Sequence, residues 1–138
     1  MSLNVEKIRE LTKELGIPSV YICSYIFDKK GYDQNITDLE VEELSKIAKM
    51  LNNHIKEGIQ QVCYLDGMSK DDVLPIYDMV IDNKLLCEYF MSSTVDKIVD
   101  DFKEVKDNSN KPMIHKFFSK IDPELSNSKT NKKYSPWG

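Results

Sequence analysis

Arginine is all but missing from this chain: Arg9 stands alone among nineteen basic residues. The guanidinium is the usual bidentate reader of phosphate and guanine. Its scarcity argues against an extensive nucleic-acid surface, although lysine still neutralises phosphates. Glycine and proline, at five each, are too few for a turn-rich β architecture and favour helices. The three cysteines, Cys23, Cys63 and Cys87, form no CxxC pair and no cluster with histidine. An odd, unpatterned count suits reduced thiols packed as small core residues rather than a disulfide framework or a metal site. Phosphate-binding glycine loops, a Walker lysine and a Gly-x-Ser-x-Gly elbow are absent. So are an apolar run able to cross a bilayer and the start of a secretory signal. A cytoplasmic location and no membrane partner are expected.

What remains is one domain's worth of sequence: 138 residues, 41% apolar and 30% charged. The charge is uneven. Residues 1–35 are neutral, residues 36–107 carry net −8, and residues 108–138 carry net +4. The strongest local signal is Ile36-Thr37-Asp38-Leu39-Glu40-Val41. Thr37 and Glu40 have the spacing of a capping box, and Ile36 and Val41 that of a hydrophobic staple.

A long amphipathic helix is therefore expected from Asp38 to about Leu65. Its stripe is Leu44, Ile47, Ala48, Leu51, Ile55, Ile59 and Val62, and Gly58 either bends it or admits a close neighbour. Before it, Val5, Ile8, Leu11 and Leu15 predict a helix from about Asn4, stopped by Gly16. Residues 19–27 are β-branched and aromatic enough for a buried strand, but no partner strand exists to pair its backbone, so a helix is preferred. After Asp66-Gly67, Ser69 and Asp72 repeat the capping-box spacing, while Pro75 points to a cap at Asp71 or Asp72. Asn83-Lys84 marks a kink or break, and Ser93 or Thr94 opens a helix bearing Val95, Ile98, Val99, Phe102 and Val105. Pro112 opens a short last helix with Ile114, Phe117, Phe118 and Ile121, stopped at Asp122-Pro123. The expected fold is all-α: a single bundle of five to seven helices over residues 1–124, followed by a flexible basic tail over residues 125–138.

No residue set announces a reaction. His54 and His115 lack an HExxH partner or a neighbouring cysteine and read as ordinary flank histidines. The pairs Glu42-Glu43, Asp71-Asp72 and Asp100-Asp101 point about 100° apart on a helix and do not converge on one ion. No catalytic, cofactor-binding or metal-ligating residues are assigned. In the tail, Lys129, Lys132, Lys133, Tyr134 and Trp137 form a basic-aromatic segment. Tyr134 and Trp137 are its candidate contacts with an acidic partner surface, nucleic acid or the chain's own acidic helices, set against the default of a frayed end.

Leu11 to Tyr25, reading Leu-Thr-Lys-Glu-Leu-Gly-Ile-Pro-Ser-Val-Tyr-Ile-Cys-Ser-Tyr, resembles the helix–turn–helix core of lambda-repressor-like (XRE-type) regulators. Glu43 to Leu51 is similar to the helix that commonly follows in that family. The resemblance implies a recognition helix after Pro18, with Ser19, Tyr21 and Ser24 facing bases and Lys29 and Lys30 near phosphates. An alternative registration makes the first helix the last of such a domain and the rest a downstream interaction domain. That version suits the acidic charge better.

The sequence thus favours a non-catalytic helical protein-interaction or regulatory module, steered by its acidic helices toward a basic protein partner. In a phage or other mobile element that partner would be a host protein. The alternatives are an XRE-like DNA-binding regulator and a small enzyme of unknown reaction. A homodimer is plausible, because three aromatic clusters compete for one small core: Tyr21/Tyr25/Phe27, Tyr89/Phe90 and Phe117/Phe118.

Overall fold

Thr37 and Glu40 close both halves of the capping box. The Thr37 N–H donates to the Glu40 carboxylate at 2.7 Å, and the Glu40 N–H donates to the Thr37 hydroxyl at 3.4 Å. The helix they open is the axis of the protein. In a computed structural model, which describes residues 5–31, 36–106 and 113–127, the elements run α1 (Val5–Leu15), α2 (Val20–Lys30), α3 (Asp38–Leu65), a 3-10 turn (Lys70–Asp72), α4 (Val73–Ile81), α5 (Lys84–Ser92), α6 (Val95–Val105), α7 (Ile114–Ile121) and the single-turn α8 (Glu124–Asn127). Among the described residues there is no strand.

The segment that could have been a strand is helix α2. Ser19 caps it, accepting the Tyr21 N–H at 3.1 Å, and Gly31 ends it in the left-handed region at φ +71°. Ile22, Cys23, Ile26 and Phe27 are buried against α3 and α5, so packing outweighs β-propensity here. At the second start signal Ser69 and Asp72 both stand at helix starts, but the Asp72 carboxylate bonds Ser69 and makes no cap bond to α4. Ser69 makes its box with Asp72 over the 3-10 turn, and Asp72 then stands as N-cap of α4, which places Pro75 in the first turn. Asn83 breaks the chain and caps α5, accepting the Leu86 N–H at 3.0 Å. Thr94, not Ser93, caps α6, accepting the Lys97 N–H at 3.1 Å.

α3 packs against α2, α4, α5 and α6, and α7 closes over α5 and α6. The inner side of α3 is Leu44, Ala48, Ile55, Ile59, Val62 and Cys63, all buried. Gly58 serves close approach: a Cβ there would lie 3.0 Å from Phe90 Cδ1 and Ile98 Cδ1. Two of the aromatic clusters merge rather than compete. Tyr89 stacks edge-on against Phe90 and Phe117, Phe90 against Phe118, and Phe102 against Phe117, with ring centres between 5.4 and 6.0 Å apart.

At the C-terminal end, ordered structure continues past the expected domain boundary at 124. α8 reaches Asn127 and Leu125 packs on the core. The remaining tail positions, including Tyr134 and Trp137, lie outside the described residues, as does Pro112.

Candidate interaction surface

The inward residues of α4 are Ile76, Tyr77, Val80 and Ile81, which leaves Leu74 and Asp78 one turn apart on its outer side. Leu74 is 64% exposed. On α5 the buried set is Leu86, Cys87, Phe90 and Met91, and Leu85 is turned outward at 47% exposure. Asp71, Asp72, Asp78 and Asp82 are exposed along the same stretch, with Lys70 and Lys84 as its only basic residues. Along this stretch of chain two leucines are thus exposed among four exposed aspartates.

A polar cluster pins α5 to α6. The Tyr89 hydroxyl donates to Asp101 Oδ2 at 2.6 Å, and Lys97 Nζ reaches the same oxygen at 2.7 Å while lying over the Tyr89 ring. Burial, reinforced by the Asp101 carboxylate, pushes the Tyr89 hydroxyl above its ordinary range. The bond from Lys97, with that from Tyr89, holds Asp101 below the usual carboxylate range. Beside them Glu104, Val105, Phe117, Lys120 and Ile121 complete a cleft of about 140 Å³. The Asp101 carboxylate in it is thus already bonded by a phenol and an ammonium, a geometry that fixes helices.

Asp66 went unread in the sequence beyond its role in ending α3. Its buried carboxylate accepts the N–H of Met113 at 2.7 Å and of Ile114 at 2.9 Å, and Lys106 Nζ lies 3.0 Å away. It therefore caps α7 from the far end of α3. His54 also has a structural bond: its Nε2–H donates to the Ser93 carbonyl at 2.6 Å, where α5 ends. His115 is half-buried on α7.

The positions that the repressor resemblance assigns to DNA are split. Ser19 is buried, and its hydroxyl donates to the Ile81 carbonyl at 3.1 Å while the Cys87 sulfur sits 3.9 Å away. Tyr21 and Ser24 are half-buried on α2. Lys29 lies over the Tyr25 ring, and Lys30 pairs with Glu43 on α3 at 3.5 Å.

All three cysteines are buried, and burial pushes Cys23 and Cys63 up to about 12 and Cys87 to about 11. Among the described residues no three His, Cys, Asp or Glu side chains converge on a metal position, and no helix is long and apolar enough to cross a membrane. In comparison with known proteins, no family model, curated protein or solved structure matches this chain.

Proposed function

We propose that this protein is a non-catalytic helical interaction module of a regulatory kind, whose α4–α5 surface receives a basic amphipathic segment of another protein. The observation that carries the reading is the exposure of Leu74 and Leu85 among Asp71, Asp72, Asp78 and Asp82. Covering the exposed parts of Leu74 and Leu85 is worth about 1 kcal/mol each, and the net −8 of residues 36–107 steers a cationic partner. Carboxylates around apolar anchors give such a contact its polar rim.

The test is an NMR titration with a lysine-rich amphipathic helical peptide and with its glutamate-rich counterpart. The basic peptide is expected to shift Leu74, Asp78, Asp82 and Leu85, more weakly as salt rises, and Leu74→Lys with Leu85→Lys should remove the effect. Equal response to both peptides, or to neither, would sink the reading. Duplex DNA shifting Tyr21, Ser24, Lys29 and Lys30 at low salt would move the assignment to the repressor-like alternative.

A further inference from the structure

The side of α3 that faces away from the core is a continuous ridge: Leu39, Glu43, Lys46, Met50, Asn53, Glu57, Gln60 and Tyr64, all exposed. These residues recur at alternating steps of four and three, the seam spacing of a two-helix coil. Three are large and apolar, with Leu39 76%, Met50 70% and Tyr64 57% exposed. The spacing of the ridge is the same read in either direction. Turned end for end about a two-fold axis between Leu51 and Asn52, it sets Leu39 against Tyr64, Glu43 against Gln60, Lys46 against Glu57, and Met50 against Asn53 of a second copy. Apolar meets apolar at both ends. Each charge at the Lys46 and Glu57 layers meets its opposite, and every contact occurs twice.

We infer that the outer ridge of α3 is the contact of an antiparallel homodimer. A two-fold contact must be self-complementary, and this ridge satisfies that condition at its apolar ends and in its Lys46–Glu57 layers, with Met50 against Asn53 between them. The 28-residue helix supplies about 42 Å of length for the seam. The contact is weak by design of its sequence, because polar residues fill five of eight layers and Lys49 faces Lys56 of the second copy along one flank. The ridge is separate from the α4–α5 surface, so the dimer and the proposed function stand or fall independently.

Sedimentation equilibrium of the full chain over a wide concentration range tests it. The expected result is a reversible monomer–dimer equilibrium. Lys46→Glu or Glu57→Lys alone should weaken it about tenfold by placing like charges in two symmetric layers, and the double exchange should restore it. Lys49→Glu, which leaves the seam intact, should tighten the dimer by converting the flanking repulsion into attraction. Circular dichroism of each variant establishes that it is folded. A monomer at every concentration, in the original chain and in Lys49→Glu alike, would overturn the inference. So would a dimer indifferent to the charge exchanges.

Discussion

The carboxylate of Asp66, at the end of α3, accepts the backbone N–H of Ile114, at the start of α7, at 2.9 Å across 48 positions of chain. A helix N-terminus ordinarily finds its cap in the residue just before it. Met113 precedes α7 and offers no such oxygen. Asp66 supplies it from elsewhere, with negative charge at the positive end of the α7 dipole.

Replacing Asp66 by alanine should therefore cost more than an ordinary cap. It leaves two N–H groups unsatisfied and removes the buried partner of Lys106. A loss of about 3 kcal/mol in unfolding free energy is expected from urea denaturation. Hydrogen exchange should accelerate first in α7. A loss below about 1 kcal/mol would mean that this carboxylate is no more than a surface cap.

Gly58→Ala brings two opposed effects. Alanine raises helix propensity by about 1 kcal/mol, while its Cβ presses on Phe90 and Ile98 at 3.0 Å. Overpacking of this kind costs about 1–3 kcal/mol, so a net destabilisation near 1 kcal/mol is expected. Phe90→Leu made together with Gly58→Ala should show favourable coupling of about 1 kcal/mol in a double-mutant cycle. Strict additivity would locate the strain elsewhere.

Stability should fall at both ends of the pH scale. Asp101 is held below the usual carboxylate range, so its contribution is present above about pH 4 and disappears as pH falls through its lowered value. Asp101→Asn should flatten this acid limb, by less than about 1 kcal/mol because the group is partly exposed. The thiols work in the opposite direction. Unfolded cysteine loses its proton from about pH 8.5, whereas the folded thiols hold theirs to about 11 or 12. Each thiol should therefore remove stability as pH rises through that window, with a slope approaching about 1.4 kcal/mol per pH unit. Urea midpoints of the Cys→Ala variants check the alkaline limb. A slope unchanged in Cys23→Ala would place its loss of stability with other groups.

Much of the fold was legible because its helix ends are written locally. Thr37, Asn83 and Thr94 each cap the helix that follows within three residues, and a spacing rule can find that. Residues 19–27 were harder. Apolar residues surround α2, so periodicity is faint; the want of a partner strand decided for a helix, and the Ser19 cap went unread. The bonds from Asp66 to α7 and from Tyr89 to Asp101 had no local signature, since they join residues brought together only by packing. The same holds for Ser19: a position after a helix-breaking Pro-containing turn fits a DNA-facing site and a buried cap equally well until Ile81 and Cys87 are placed around it. The outer face of α3 was present in the periodicity from the start, on the side opposite the stripe.

The place of α3 in the chain also bears on how the protein is made. When synthesis passes Leu65, the rod is complete, but of its partners only α2 has been produced. Phe90 and Ile98, which cover Gly58, arrive with later portions of the chain. At translation speeds of about 5–20 residues per second, the nascent helix exposes half its apolar stripe for seconds. That interval, rather than the finished molecule, is where this protein is most open to chaperones and most prone to associate wrongly.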